Sequence, residues 1–304
     1  MVLGRFAPSP SGRMHLGNVC SAMLAWLSAK ARGGEILLRI EDLDPARSRK
    51  EYAEAIMEDF RWLGLTWDRR APDQSTRGEA YAKALETLSR KDLLYPCYCS
   101  REELHAASAP HASDGRVIYG GTCRNLTAAQ RAAMTKVPCL RIRVPDRVIS
   151  FSDGLQGDCS MNLQREWGDF ILRRADGVAA YQLAVVVDDS AGGVTEVVRG
   201  RDLLTSTPPQ LLLYELLGME APKFYHVPML LSPDGRRLSK RDRDLDLGEL
   251  RKRLKPEEII GLLGYLCGLI RRLEPVSLRE LMAEFSWEKV RREDIVMDPA
   301  ILCR

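Results

Sequence analysis

The chain has 304 residues, 45% hydrophobic and 29% charged, a globular composition long enough for one large domain with insertions or for two domains. No run approaches the roughly 18–20 uncharged apolar residues of a membrane span, and the opening Met1 to Phe6 lacks the basic segment and apolar core of a secretory signal, so a cytoplasmic protein is expected. The formal charge of +3 is too small to identify a nucleic-acid binder by itself.

Residues 1–6 form a short apolar run that predicts a first strand. Pro8, Ser9, Pro10, Ser11 and Gly12 then make a tight loop. Apolar residues at 16, 19, 20, 23, 24, 27 and 31 have helical spacing, and Gly33-Gly34 stops that helix. Residues 35–40 predict a second strand, with Glu41-Asp42 at its end. This strand, loop, helix, strand order opens a parallel α/β sheet, where ligands sit at the carboxyl ends of the strands. Residues 49–64 and 77–91 predict amphipathic helices.

From about 95 to 145 the character changes to paired cysteines, turn residues and a short charged helix, which predicts an insertion. The run Tyr181-Gln182-Leu183-Ala184-Val185-Val186-Val187-Asp188-Asp189 has the pattern of a buried strand. Val227 to Leu231 predicts another strand, followed by the turn Ser232-Pro233-Asp234-Gly235. From about 246 onward the pattern is helical. The stretch from Arg236 to Arg253 carries eight Lys or Arg, which suits phosphate contact but equally suits solvated helix faces.

Two loops have legible chemistry. His15-Leu16-Gly17-Asn18 opens a helix, where glycine permits close approach of backbone to a nucleotide and free N–H groups meet phosphate. A histidine there can stabilise charge on a transferring phosphoryl group. Of the eight cysteines, 97, 99 and 123 fall within 27 residues, which suggests a thiolate metal site; His105 or His111 could provide a fourth ligand. Cysteines 20, 139, 159, 267 and 303 read as core or surface residues, and His226 as structural.

Four segments together, Arg5 to Gly12 with His15 to Asn18, Arg39 to Asp44, Arg236 to Arg241, and the cysteine cluster, resemble the class I glutamyl-tRNA synthetase family. More closely they resemble its short branch, the glutamyl-Q tRNA(Asp) synthetases. The resemblance implies a Rossmann-like parallel-sheet catalytic domain in two parts, 1–94 and 146–245, with a zinc-containing insertion at 95–145. A small helical region at 246–304 would follow, and no anticodon-binding domain.

It also implies roles. His15 and Lys240 would be catalytic, with Gly17 and Asn18 joining them around ATP and Mg²⁺. L-Glutamate would lie against Arg5, Phe6, Ala7, Pro8, Ser9, Glu41, Tyr181 and Arg199. Glu41 would take the α-ammonium, Arg5 the side-chain carboxylate and Arg199 the other end, with a hydroxyl donor from Tyr181. Leu238-Ser239-Lys240 resembles the KMSKS loop, with Arg237 and Arg241 standing where that motif has lysine and serine. One zinc ion would sit on Cys97, Cys99, Tyr119 and Cys123.

The activity implied is formation of glutamyl-adenylate without tRNA, then esterification of the queuosine base at the wobble position of tRNA(Asp), by a monomer. Three alternatives remain at this level: a short glutamyl-tRNA synthetase charging a tRNA 3′ end, a catalytically silent paralogue that binds RNA or glutamate, and, disfavoured by Glu41 and the paired arginines, a nucleotidyltransferase of the same type for another metabolite. The presence of His15, Glu41, Arg199 and Lys240 together argues against silence.

Overall fold

The computed structural model describes residues 1–100, 118–236, 246–298 and 301. Strand β1 (Leu3–Phe6), helix α1 (Leu16–Lys30) and strand β2 (Glu35–Leu38) open the chain, β1 and β2 pairing in parallel from Leu3–Glu35 to Phe6–Leu38. Gly33, at φ 63°, turns the chain out of α1. Gly34 comes so near the first strand that a Cβ would lie 2.5 Å from the Val2 carbonyl oxygen. Helices α2 (Lys50–Trp62) and α3 (Gly78–Arg90) flank the short strand β3 (Arg69–Arg70), which pairs with β2.

Strand β4 (Leu94–Cys97) begins an antiparallel unit. Helix α4 (Ala128–Ala132), β5 (Cys139–Ile142), the hairpin β6 (Val148–Asp153) with β7 (Gly157–Asn162), α5 (Leu163–Glu166) and β8 (Ile171–Arg173) follow. Strand β5 lies between β4 and β8, so this sheet takes in a strand well past residue 145.

The run expected to be a buried strand is instead helix α6 (Tyr181–Gly192), closed by Gly193 at φ 71°. Every residue from Leu183 to Asp189 is buried, so the helix shows no polar face and its three valines imitate a strand. The geometry matters because consecutive helical residues point about 100° apart rather than to opposite faces. Asp188 therefore meets Gln74, Arg77 and Tyr81, while Asp189 meets Arg5 and Arg39.

Strands β9 (Glu196–Gly200) and β10 (Lys223–Val227) pair in parallel around helix α7 (Thr207–Leu217). Thr195 N donates to Leu3 O (3.0 Å) and Leu3 N to Thr195 Oγ1 (2.9 Å), which sets β9 beside β1. The spatial order is then β3-β2-β1-β9-β10, and it reverses between β1 and β9. Crevices form at such a reversal, outside the carboxyl ends of the strands.

The strand expected across 227–231 is broken at Pro228, which has no N–H to give a ladder. Strand β11 (Leu230–Leu231) starts beyond it and pairs with β12 (Ile295–Val296), in a region whose pattern suggested helix alone. Helices α8 (Leu247–Leu250), α9 (Pro256–Cys267) and α10 (Leu278–Ala283) complete the C-terminal part. Two apolar layers cover the sheet. Ile36, Leu38 and Val198 face α1 and the C-terminal helices, while Leu37 and Val197 face α3, α6 and α7. A sheet buried on both sides explains the unbroken apolar runs of its strands.

Candidate active site

The elements that meet at the reversal of strand order enclose a cavity of about 740 Å³. Strand β1 and the loop after it bring Arg5, Phe6, Ala7, Pro8 and Ser9 to its wall. The start of α1 brings His15, Gly17 and Asn18; Glu41 comes from the end of β2, Tyr181 from the start of α6 and Arg199 from β9. All the glutamate- and ATP-site residues expected from sequence thus line one space, except Lys240, which lies outside the described residues.

His15 is the N-cap of α1. Its Nδ1 accepts from Gly17 N (3.1 Å), while its own N–H donates to Asn18 Oδ1 (3.2 Å). An accepting Nδ1 places the proton of the neutral ring on Nε2, which is then a donor. Gly17 has a second reason to be glycine: a Cβ there would sit 3.0 Å from the His15 ring. The following segment returns to this entrance. Leu247 N donates to Met14 O (2.9 Å), and Arg13 Nε lies 3.6 Å from Asp246 Oδ1.

Behind the wall lies a buried chain of charges. Arg5 Nε is 3.3 Å from Asp189 Oδ1, Arg39 Nη1 is 2.5 Å from the same oxygen, and Arg39 Nη2 is 2.9 Å from Glu41 Oε1. Burial alone would raise the Asp189 carboxyl, but Arg39 and Arg5 outweigh it and hold the group below the usual carboxylate range. For Arg39, burial works against the charge, yet Asp189 and Glu41 prevail and raise it further. In the sequence Asp189 reads only as the end of a strand pattern, and Arg39 as the start of the segment Arg39 to Asp44 without a role of its own. The signal it lacked is three-dimensional, since 150 positions separate them.

Arg199 differs from Arg5. It is 4% exposed, and its acceptors among the described residues are all neutral: His226 Nε2 (3.0 Å), Gln210 Oε1 (3.0 Å), Thr207 Oγ1 (2.8 Å) and Leu203 O (3.4 Å). It forms no ion pair among the described residues, and burial pulls its basicity down. Gln210 is itself anchored, its Nε2 donating to Gln182 Oε1 (2.7 Å). Tyr181, 37% exposed, is the one exposed aromatic side chain among the described residues and stands at the cavity.

A second site lies at β4. The sulfurs of Cys97, Cys99 and Cys123 all fall within 4.8 Å of one another, those of Cys99 and Cys123 being 3.6 Å apart. Sulfurs on one tetrahedral zinc at about 2.3 Å would be about 3.8 Å apart, so the trio fits a metal ion. Tyr119 Oη is 3.5 Å from Cys97 Sγ and accepts from Cys123 N (2.7 Å). The Arg141 guanidinium covers the Tyr119 ring at 3.9 Å. His105 and His111, the other candidate ligands, lie outside the described residues, as does Cys303.

Cys139, expected to be an ordinary core or surface residue, is paired directly across the ladder from Cys97. With Tyr119 it holds the Cys97 thiol well below its ordinary range, against burial that would raise it. Cys20 and Cys267 are buried with their sulfurs 3.3 Å apart, and Cys159 is half-buried on β7.

The family described as tRNA synthetases class I (E and Q), catalytic domain, matches residues 1–285. A glutamyl-Q tRNA(Asp) synthetase of Nitratidesulfovibrio vulgaris is 48% identical over 100% of this chain and 98% of its own length. One from Symbiobacterium thermophilum is 49% identical over 97% of this chain and 95% of its own. A glutamate tRNA ligase from Elizabethkingia meningosepticum, solved with its amino acid, superposes with a TM-score of 0.84 at 30% identity, covering 99% of this chain and 68% of that one. No helix among the described residues is long and apolar enough to cross a membrane. The chain belongs to the class I glutamyl- and glutaminyl-tRNA synthetase family, within its glutamyl-Q tRNA(Asp) synthetase branch.

Proposed function

We propose that the chain activates L-glutamate with ATP in the absence of tRNA and then transfers the glutamyl group to the queuosine base of tRNA(Asp). The observation that carries the glutamate half is Arg199, a buried cation without a carboxylate partner among the described residues, lining the same cavity as Glu41 and the start of α1. An uncompensated buried charge is costly, and an anionic ligand removes that cost. Arg199 takes one carboxylate, Arg5 supports the other, Tyr181 adds a hydroxyl, and Glu41 meets the α-ammonium. The loop Phe6 to Ser9 shapes the wall against which the substrate lies.

The α-carboxylate oxygen attacks the α-phosphorus of ATP in line, and pyrophosphate leaves. His15 donates from Nε2 to the charge that develops on the phosphoryl oxygens, beside the N–H groups that open α1. Gly17 and Asn18 line the ATP, and Lys240 offsets charge on the pyrophosphate, which Mg²⁺ accompanies. A queuosine hydroxyl then attacks the acyl carbon and AMP leaves. Identity of 48–49% with proteins named glutamyl-Q tRNA(Asp) synthetase, against 30% with a glutamate tRNA ligase, supports this acceptor.

The metal site holds one zinc on Cys97, Cys99, Cys123 and Tyr119. It is a structural clip for a unit with a small apolar cluster of its own. The same reading treats 1–94 and 146–245 as the catalytic halves around the insertion 95–145, followed by the C-terminal region 246–304, in a cytoplasmic monomer.

Glutamate-dependent ATP–pyrophosphate exchange, with and without tRNA, tests activation. Labelled glutamate offered to tRNA(Asp) with and without queuosine tests the acceptor. Exchange without tRNA and labelling only of the queuosine form are expected. Glutamate found instead on a tRNA 3′ end would replace the reading with a short glutamyl-tRNA synthetase, and absence of exchange would leave a silent paralogue.

A further inference from the structure

We infer that His226, oriented by Asp153, is a positioning residue that holds the Arg199 guanidinium in place for a substrate carboxylate. The inference rests on the proposed binding of glutamate at Arg199 and adds the device that fixes that arginine. His226 is fully buried on β10 and both ring nitrogens are engaged. Nδ1 lies 2.6 Å from Asp153 Oδ2, and Nε2 lies 3.0 Å from Arg199 Nε.

These contacts select one tautomer. Arg199 Nε can only donate, so His226 Nε2 must accept and be unprotonated. The ring proton is then on Nδ1 and points at Asp153. The opposite tautomer would set two lone pairs against each other at 2.6 Å. Asp153 cannot swing away, because its Oδ1 accepts from Leu155 N (3.0 Å), Gln156 N (2.9 Å) and His226 N (3.1 Å). A carboxylate fixed in the β6–β7 turn thus sets the histidine, and the histidine sets the arginine. Thr207 Oγ1, 3.2 Å from Nε2, accepts from Arg199 Nη2 and closes the same cluster.

A guanidinium has five N–H donors, and the four neutral acceptors around Arg199 fix its plane while leaving the charge for the cavity. Replacing His226 by a carboxylate would neutralise Arg199, and replacing it by an apolar residue would let the fork rotate. A neutral acceptor avoids both.

Protonation of His226 would turn an N–H toward the Arg199 cation. The charged groups that face the ring are Asp153 from β6, Arg199 from β9 and Asp202 from the turn after β9. Burial and Arg199 disfavour the second proton, Asp153 and Asp202 favour it, and the balance lies below the ordinary histidine value.

Two variants separate the ring's atoms. The amide of His226→Asn can reach Asp153 but withdraws the acceptor from Arg199, whereas His226→Gln carries an oxygen near the position of Nε2. In glutamate-dependent ATP–pyrophosphate exchange, His226→Asn is expected to raise KM for glutamate about tenfold, with kcat and KM for ATP within about twofold. His226→Gln is expected to recover KM to within about threefold. In the unmodified protein KM for glutamate should climb only as pH falls through the lowered His226 value, under the ordinary 6.5, and this limb should be missing in His226→Gln.

An unchanged glutamate KM in a folded His226→Asn would overturn the inference while leaving the proposed function standing. If His226→Asn does not fold, by its circular-dichroism melt, the pH limb decides, and the same limb in His226→Gln would overturn the inference. Absence of glutamate-dependent exchange in the unmodified protein would remove the proposed function and the inference with it.

Discussion

Asp189→Asn is the sharpest probe of the buried charge chain. Asp189 is 2% exposed and faces two guanidiniums, Arg5 at 3.3 Å and Arg39 at 2.5 Å; Arg39 also meets Glu41 at 2.9 Å. Asparagine keeps the volume but removes the charge, so Arg5 and Arg39 are left with Glu41 alone. Breaking a buried pair on one side costs about 3–5 kcal/mol, which for a chain of this size lowers Tm by about 5–8 °C. Differential scanning calorimetry of both proteins at pH 7 reads this directly. The sign of the pH effect follows from the depressed carboxyl. Its stabilisation is present above the unfolded carboxylate value near 3.9 and is lost as pH falls through the lower folded value. The gap between the proteins should therefore hold from pH 7 to about pH 4 and close only below it. A gap under about 2 °C at pH 7, or one that closes already between pH 7 and pH 5, would refute the argument.

Two further outcomes are accessible. Cys123→Ser should lower zinc from about one ion per chain to under about a fifth by elemental analysis, whereas Cys159→Ser, outside the trio, should retain it; equal loss in both would disprove the assignment. Gly261→Ala would place a Cβ 1.9 Å from the backbone oxygen of Glu274, so helix α9 must shift away from the 274–276 segment. A loss of at least about 1–3 kcal/mol in urea unfolding is expected, and an unchanged midpoint would count against this packing.

Much of the site was legible because it lies in loops that directly follow short strands. The proline-rich loop after β1 and Glu41 after β2 announce themselves by turn residues and by charge at the end of an apolar run. The run from Tyr181 was misjudged because full burial erases the polar face by which a helix is recognised. That error hid Asp189, whose partners are set by the helical turn. Cys139 stayed hidden for a different reason: its neighbour Cys97 lies 42 residues away, and only the register of β4 against β5 brings them opposite. Strand β12 is two residues long and depends on β11 for its conformation, so no local pattern could mark it.

The charges around the cavity also bear on which amino acid it takes. Three guanidiniums, Arg5, Arg39 and Arg199, face two carboxylates, Asp189 and Glu41, leaving one positive charge before any substrate enters. Glutamate, with two carboxylates and one ammonium, brings one negative charge and closes that balance. Glutamine is nearly the same shape but brings none, and it would set an amide N–H group, itself a donor, against the Arg5 guanidinium, which has donors and no acceptor. Size cannot separate the two, whereas an unpaired buried cation can, because the penalty falls on the complex with the wrong substrate. The neutral shell of His226, Gln210 and Thr207 leaves the Arg199 charge for the substrate's other carboxylate, so the excess stays at the side-chain end. Specificity for the acid over the amide thus resides in Arg5 and Arg39, two guanidiniums that share Asp189 and keep an excess positive charge toward the substrate's side chain.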